Sequence, residues 1–189
     1  MTSNDIALPL LATKRLTLRL RTPDDAEALF PTMSDPVSMT WWSRAPFADL
    51  GTLRADFALE KAGSWRTWAI AERGGDRAIG FVSAGQKRPG VSEVGYLLAR
   101  EAQGRGIGRE AVSAVLTRLF AEGQRRVFAD TDPDNRGSIA LLKALGFRQE
   151  GHLRAEWQTH IGIRDTLLFG LLAEEWPAAQ RTVGIVSSA

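Results

Sequence analysis

A glycine-rich segment between a predicted strand and a long predicted helix constrains this chain more than any other feature. A strand that enters a helix through glycines presents backbone N–H groups and the positive end of the helix dipole to a ligand. Glycine also permits positive φ and keeps Cβ atoms away from phosphate oxygens. The segment therefore predicts a phosphate-binding loop, with an ordinary tight turn as the alternative. Its residues are Gln103, Gly104, Arg105, Gly106, Ile107 and Gly108.

Two common phosphate-binding patterns fit this loop poorly. The Walker pattern is absent, because no Gly-Lys-Ser or Gly-Lys-Thr ends the segment. The dinucleotide-binding pattern fits in part, since Gly104 and Gly106 precede a helix and Asp130 follows roughly 20 residues later. Arg109, however, stands where that pattern needs its third glycine. The ligand is therefore expected to be a phosphate compound of another kind.

Hydrophobic periodicity along the chain predicts one mixed α/β domain over residues 1–189, with a core at about 11–176. An antiparallel meander precedes the glycine-rich loop, and alternating helices and strands follow it. The predicted strands lie at Leu16–Leu20, Thr67–Glu72, Ala78–Ala84, Glu93–Leu98, Val127–Ala129, Phe147–His152 and Thr166–Leu172. The predicted helices run from Pro23 to Phe30, with Thr22 as cap, from Leu50 to Gly63, from Ala111 to Phe120 and from Asn135 to Leu145.

Composition excludes several classes of function. Lys and Arg total 24 and Asp and Glu total 22, so the net charge of +2 is too small for the basic field of a nucleic-acid binder. The absence of cysteine excludes a cysteine nucleophile and a thiolate metal site. No stretch reaches the ~18 apolar residues of a membrane span, and the N-terminus lacks a basic signal-like start. We therefore expect a cytoplasmic protein without nucleic-acid or membrane partners.

The glycine-rich segment resembles the Arg/Gln-x-x-Gly-x-Gly/Ala pyrophosphate loop of the GNAT acetyltransferases, with Gln103, Gly106 and Gly108 at the specified positions. The resemblance covers residues of about 11–176 and implies a GNAT-like mixed central sheet with an antiparallel N-terminal meander and flanking helices. Glu93–Leu98 resembles the central strand of that family. The second cofactor segment of the family resembles Asn135–Ser138 and Lys143–Phe147. Four further segments resemble the ribosomal-protein N-terminal acetyltransferase branch: Leu11–Leu16, Glu150–Arg154, Arg164–Thr166 and Glu175–Trp176.

The resemblance implies acetyl-CoA as the acetyl donor, and the residues themselves lead us to expect no metal. The resemblance also implies that the central strand splays from its neighbour at Gly95–Leu98, so that unpaired main-chain groups hold the pantetheine and polarise the acetyl carbonyl. The alternative for this strand is that Val94 and Leu97 simply pack the core. The implied cofactor-binding residues are Tyr96, Leu97, Leu98, Gln103, Gly104, Arg105, Gly106, Ile107, Gly108, Asn135 and Ser138.

Direct acetyl transfer to an amine needs a proton acceptor and a proton donor. By resemblance, Glu93 and Glu156 are the candidate bases, with ordinary surface carboxylates as the alternative. Many relatives carry a tyrosine four residues before a Gly-Phe pair, but Leu142 stands there and the single tyrosine is Tyr96. Ser138 matches the serine proposed as the acid in the ribosomal-protein branch, although it could instead only cap the helix or contact CoA.

The expected acceptor is a protein or peptide N-terminal α-amine. A small-molecule acetyltransferase acting on a polyamine, amino acid or antibiotic is the alternative enzyme, and a non-catalytic CoA- or nucleotide-binding module is the alternative of another class. Trp41 and Trp42 either line an acceptor pocket or pack beneath a loop. His152, Glu156 and His160 recur every four residues, but their strand-like neighbours argue against a helical metal site. The oligomeric state is expected to be a monomer or a homodimer.

Overall fold

An eight-stranded mixed sheet forms the centre of the protein in a computed structural model that describes residues 8–59 and 65–176. The strands are β1 Leu11–Ala12, β2 Leu16–Leu20, β3 Trp65–Glu72, β4 Ala78–Arg88, β5 Val91–Leu98, β6 Arg126–Thr131, β7 Arg148–Thr159 and β8 Gly162–Leu172. Their spatial order is β1-β2-β3-β4-β5-β6-β8-β7. Within the described residues the β5–β6 pair is parallel, and the other pairs are antiparallel. The predicted meander and mixed sheet are therefore confirmed.

Within residues 8–59 and 65–176, four helices cover the two faces of this sheet. Helices α3 and α4 pack on one face against the larger core, which includes Leu18, Val82 and Val94. Helices α1 and α2 pack on the opposite face, where Phe81 and Leu97 point. No helix among the described residues is both long and apolar enough to cross a membrane. The helices are α1 Asp25–Met33, α2 Leu50–Leu59, α3 Ile107–Ala121 and α4 Arg136–Ala144, with a short 3₁₀ turn at Arg100–Ala102.

The elements form largely for the reasons that the sequence indicates. Leu16 and Leu18 alternate with more exposed residues along β2 and are almost fully buried. Helix α1 begins at Asp25, two residues later than expected. Thr22, the predicted cap, donates a hydrogen bond to the first turn of the helix instead of accepting one from it. The backbone N–H of Thr22 donates to the Asp25 carboxylate at 2.8 Å, so Asp25 reaches back as a capping-box acid does.

The strands β5 and β6 diverge after a short parallel contact. Val91–Glu93 pairs with Arg126–Phe128, and the pairing stops there. Beyond that point β5 remains bonded to β4 as far as Leu98, and β6 remains bonded to β8 as far as Thr131. This divergence opens a V-shaped gap between residues 94–98 of β5 and 129–131 of β6, which we call the cleft. Its position agrees with the splay that the family resemblance implies.

The C-terminal hairpin is longer than the sequence predicts. The expected strands at Phe147–His152 and Thr166–Leu172 are parts of β7 and β8, which meet at a turn near His160. Strand β7 is an edge strand whose residues are almost all exposed, so no apolar alternation marks it in the sequence. Strand β1 was not expected either, and β4 extends four residues past Ala84. The predicted end of α2 at Gly63 lies outside the described residues.

Candidate active site

The cleft exposes the main chain of the second half of β5. A Cβ atom placed on Gly95 would have no other atom within 4 Å, so space is open beside this residue. Tyr96 and Leu98 face the side of the sheet that α3 and α4 cover, whereas Leu97 faces α1 and α2. The cleft is therefore lined on this side by β5 backbone that lacks a pairing partner in β6.

The predicted phosphate loop lies directly beyond the open end of β5. Gly104 and Gly106 adopt φ of 71° and 74°, which glycine adopts without strain. Gln103 donates from Nε2 to the Leu98 carbonyl at 3.1 Å and ties the loop to the strand. A Cβ on Gly108 would lie 3.2 Å from the Leu98 side chain, so this glycine allows α3 to pack closely on β5. The backbone N–H groups that begin α3 at Ile107 lie beside this loop.

Residues from the β1–β2 turn fix this loop in place. The Arg15 guanidinium pairs with Glu110 of α3 at 2.7 Å and donates to the Arg105 carbonyl at 3.0 Å. The Thr13 hydroxyl also donates to Glu110, at 2.6 Å, and the Arg105 side chain pairs with Glu72 at 2.8 Å. Burial raises the pKa of Glu110, but hydrogen bonds from Thr13 and Arg15 outweigh it and lower that pKa overall. The loop is therefore held by charged contacts from outside its own segment.

The side chains of Tyr96 and Ser138 connect β5 to α4. Their hydroxyl oxygens are 2.8 Å apart, and Asn135 caps α4 by accepting from the Ser138 backbone N–H at 3.1 Å. Burial raises the pKa of Tyr96 to about 12, although the hydrogen bond to Ser138 acts in the opposite direction. Leu142, one turn further along α4, is fully buried in the core. The single tyrosine thus reaches α4 from β5.

Glu93 lies at the closed end of the cleft. It is the last residue of β5 in register with β6, where it pairs with Phe128. Its carboxylate forms an ion pair with Lys87 Nζ at 2.8 Å, and that ammonium lies 4.6 Å from the centre of the Trp65 ring. This candidate base is therefore a paired carboxylate with a fifth of its side chain exposed.

The structure places Glu156 apart from Glu93. Glu156 is exposed and lies in a bulge of β7 between Leu153 and Trp157, where Ala155 has φ of 52°. Strand β7 is the outermost strand, and β8 and β6 stand between it and β5. The two candidate bases are therefore not brought together on one strand pair.

Sequence reasoning missed the placement of Asp130. Glu93 and Phe128 share a face of the sheet, so two residues further Gly95 and Asp130 occupy that face on opposite walls of the cleft. The Asp130 carboxylate accepts from Trp157 Nε1 at 2.8 Å and from the Thr166 hydroxyl at 3.3 Å. The available signal was the short apolar strand that precedes Asp130 in the sequence; in the structure, alternate burial along β6 directs Asp130 away from the α3 side. This carboxylate lies on the face of the sheet opposite α3 and α4.

The two neighbouring tryptophans separate into different roles. Trp42 packs its ring edge-on against Phe81 with 5.9 Å between centroids, which is ordinary packing. Trp41 is 39% exposed, and the Arg164 guanidinium lies 5.7 Å from its ring centre. Trp41 therefore remains available to contact an acceptor, whereas Trp42 belongs to the core beneath the loop.

Arg164 fixes the connection between β6 and α4. It bonds Asp132 through Nε at 2.7 Å and through Nη2 at 2.9 Å, and it bonds Asp134 at 2.6 Å. The hydrogen bond from Arg164 is the main reason that the pKa of Asp132 is lowered. The same connection leads directly into Asn135, so these pairs hold the start of α4 relative to β8.

The residues His152, Glu156 and His160 do not share a helical face. His152 and Glu156 lie on strand β7, and His160 lies in the turn after it. His152 bonds the Asp165 carboxylate at 2.8 Å instead. Within residues 8–59 and 65–176, no three His, Asp or Glu side chains are grouped as metal ligands.

Comparisons with known proteins agree with the fold and the loop. The chain matches the family described as "Acetyltransferase (GNAT) domain" over residues 15–148. It is 32% identical over 175 residues to "Uncharacterized N-acetyltransferase p20" of Bacillus licheniformis, covering 88% of this chain and 97% of that protein.

Two solved structures share the fold. Ribosomal-protein-S5-alanine acetyltransferase from Vibrio fischeri superposes with a TM-score of 0.73 at 23% identity, covering 89% of this chain and 98% of that one. Spermidine N-acetyltransferase from Vibrio cholerae, in complex with CoA and spermine, gives a TM-score of 0.76 at 20% identity, covering 86% and 98%. With the cleft and the loop, the family match leads to one conclusion. The chain belongs to the GNAT acetyltransferases and is an acetyl-CoA-dependent N-acetyltransferase.

Proposed function

We propose that this enzyme acetylates the α-amine at the N-terminus of a protein or peptide. The observation that carries this proposal is the ion pair between Glu93 and Lys87 at 2.8 Å, which already engages the carboxylate at the closed end of the cleft. The amine must be neutral to attack. A peptide α-amine has a pKa near 8 and is partly neutral at pH 7, whereas a lysine side chain has a pKa near 10.4. The α-amine is therefore the acceptor that such a site serves with the least assistance.

The proposed binding mode places the pyrophosphate of acetyl-CoA on the loop at residues 103–108 and the pantetheine in the cleft. The loop offers backbone N–H groups and the positive end of α3. Residues 96–98 offer main-chain groups that no longer pair with β6, and these would bond the pantetheine and polarise the acetyl carbonyl. Asn135 and Ser138 would border the cofactor from the start of α4.

In the proposed transfer, the amine nitrogen attacks the thioester carbonyl, and the new C–N bond gives a tetrahedral intermediate. Main-chain groups of β5 stabilise its negative oxygen. A carboxylate accepts the proton from its positive nitrogen, with Glu93 and Glu156 as the candidates from the sequence and Asp130 added from the structure. As the C–S bond breaks, the CoA thiolate takes a proton from the Ser138 hydroxyl. Ser138 regains a proton through Tyr96, and solvent reprotonates the pair.

The surroundings of Asp130 support a peptide acceptor. Trp157 bonds Asp130 and is 42% exposed as a residue, so an aromatic side chain lies beside a carboxylate at the cleft. The ring can contact a peptide side chain while the carboxylate attracts the arriving amine. A polyamine is the second candidate acceptor, because three carboxylates lie close together in the sequence at Asp130, Asp132 and Asp134. Asp132 and Asp134 are already paired with Arg164, however, so Asp130 is left to attract a cation.

An acceptor screen tests this proposal. Purified enzyme and acetyl-CoA are incubated with pooled N-terminal peptides, polyamines or amino acids, and the release of CoA thiol is measured against an amine-free blank. We expect release with the peptides. Release only with small amines would favour the second candidate, and CoA binding without release in any pool would favour the non-catalytic module. The proposed compartment is the cytoplasm, which localisation of a tagged chain would test.

A further inference from the structure

Arg15 lies against the phosphate loop although it belongs to the β1–β2 turn, far away in the sequence. Its Nε bonds Glu110 at 2.7 Å and its Nη1 bonds the Arg105 carbonyl at 3.0 Å. Its Nη2 lies 3.5 Å from the position that a Cβ on Gly106 would take. Half of the Arg15 side chain is exposed, so the guanidinium combines a fixed orientation with access to solvent.

The negative charge of Glu110 lies beside the phosphate loop and must be neutralised before the loop can hold an anion. Glu110 lies in the first turn of α3 and holds its carboxylate beside the loop that precedes this helix. An uncompensated carboxylate at this place would repel an anionic ligand of the loop. The Arg15 backbone N–H and the Thr13 hydroxyl also donate to Glu110, at 3.0 Å and 2.6 Å, and hold it in the ionised form. Arg15 therefore faces a permanent negative charge.

Arg105, the arginine within the loop itself, does not neutralise Glu110. The Arg105 side chain turns away to Glu72, with which it pairs at 2.8 Å, so its charge is directed toward the end of β3. Its main-chain carbonyl would present a partial negative charge near the ligand, and this is the carbonyl that Arg15 binds. One guanidinium thus covers the carboxylate and the carbonyl that an approaching phosphate would meet.

We propose that Arg15 is a positioning and charge-compensating residue of the pyrophosphate site. It neutralises Glu110, holds the Arg105 peptide in the binding conformation and adds positive potential beside Gly106. This inference rests on the proposed placement of the acetyl-CoA pyrophosphate on this loop.

The test compares variants by calorimetry with CoA and by steady-state kinetics. Arg15→Ala should raise the CoA Kd about tenfold, as expected for loss of a charged hydrogen-bonding group. The double variant Arg15→Ala/Glu110→Gln should recover binding to within about threefold of the wild type, because the repelling charge is removed as well. Arg15→Lys keeps the positive charge, and its CoA Kd should lie between that of the wild type and that of Arg15→Ala. Arg54→Ala, on α2 at the opposite face, is the matched control and should leave the Kd unchanged.

Two truncated forms of the cofactor show which part of the ligand Arg15 acts on. Acetyl-pantetheine lacks the pyrophosphate, so its KM should be the same for Arg15→Ala and the wild type, and kcat with acetyl-CoA should be unchanged. Dephospho-CoA keeps the pyrophosphate and should lose the same tenfold affinity. An effect that disappears with dephospho-CoA would assign Arg15 to the 3′-phosphate and overturn the proposal.

Three other outcomes would also overturn it. These are an unchanged Kd for Arg15→Ala, a double variant that binds no better than the single one, and an equal loss with acetyl-pantetheine. The last two would mark a purely structural role. If CoA binds the wild type and Arg15→Ala with the same Kd, only the proposed role of Arg15 fails. If the wild type binds CoA and acetylates no peptide, the proposed acceptor fails and the role of Arg15 stands.

Discussion

The hydroxyl groups of Tyr96 and Ser138 lie 2.8 Å apart and connect β5 to the first turn of α4. Tyr96 comes from the strand whose main chain borders the cleft, and Ser138 comes from the helix that Asn135 caps. Because burial raises the pKa of Tyr96 to about 12, its hydroxyl keeps its proton throughout the neutral range. We propose that this pair supplies the proton to the departing thiolate, because Leu142 stands where many relatives carry a tyrosine.

Removing either hydroxyl should slow turnover more than it weakens cofactor binding. We expect Ser138→Ala to lower kcat by about tenfold to a hundredfold, since a proton donor to the departing thiolate acts in the transition state. Tyr96→Phe should have a smaller effect in the same direction. Calorimetry should give a CoA Kd within about threefold of the wild type for both. If Ser138→Ala keeps its kcat and loses affinity, Ser138 is a cofactor contact and not a proton donor.

A carboxylate on the phosphate loop should abolish CoA binding. Gly106→Asp would direct a negative charge toward the pyrophosphate, and Gly106→Asn is the matched control. Asp and Asn both tolerate the positive φ of 74° better than other side chains, so the pair separates charge from backbone strain. We expect Asn to weaken CoA binding moderately and Asp to remove it in calorimetry. Equal affinities for the two variants would contradict the placement of pyrophosphate on this loop.

The base should be a carboxylate of the cleft. We expect Glu93→Gln and Asp130→Asn each to lower kcat by about tenfold to a hundredfold with little change in the acetyl-CoA KM. Glu156→Gln should have the smallest effect of the three, because Glu156 is exposed on the outer strand. Asp76→Asn, whose side chain is 87% exposed beyond β3, is the control for loss of a carboxylate. A kcat most sensitive to Glu156→Gln would show that the base approaches from β7.

The pairing of Asp132 with Arg164 should stabilise the protein in a pH-dependent way. The folded-state pKa of Asp132 is lowered, so its contribution is present above the unfolded pKa near 3.9 and is lost as pH falls through the folded value. Asp132→Asn should reduce the free energy of unfolding by about 1–2 kcal/mol at pH 7. Urea denaturation should show this difference shrinking below about pH 4.

Asp134→Asn is the matched control for that measurement. Asp134 shares the same arginine but is 67% exposed, so its loss should cost less stability at pH 7. A difference between the wild type and Asp132→Asn that persists unchanged at acidic pH would show that the ion pair does not stabilise the fold.

The sequence predicted the features that depend on local pattern. The positive φ of Gly104 and Gly106, the helix that follows them and the strand β5 all depend on residues that are neighbours in the chain. Helix α3 nevertheless begins at Ile107, four residues before the predicted start at Ala111. The splay of β5 from β6 was expected from family resemblance, because the residues of β5 do not themselves indicate where pairing ends. Strand β7 was underestimated since an exposed edge strand carries no apolar alternation.

The contacts between distant residues could not be predicted in this way. Arg15 and Glu110 are 95 residues apart, and Tyr96 and Ser138 are 42 apart, so their contacts exist only once the strand order and register are known. Asp130 illustrates the same limit, because its position opposite Gly95 depends on the parallel register of β5 and β6. Residue types and spacing indicated the chemistry of the site, and the sheet topology determined which residues share it.

The proposed acceptor is tested most directly by a pair of matched peptides. One has a free N-terminus and no lysine, and the other has a blocked N-terminus and one lysine. Values of kcat/KM are measured for both near neutral pH with saturating acetyl-CoA. We predict at least tenfold preference for the free N-terminus, since its pKa near 8 is more than two units below that of lysine. A preference for the blocked lysine peptide, or turnover of a small amine with neither peptide acetylated, would contradict the proposal.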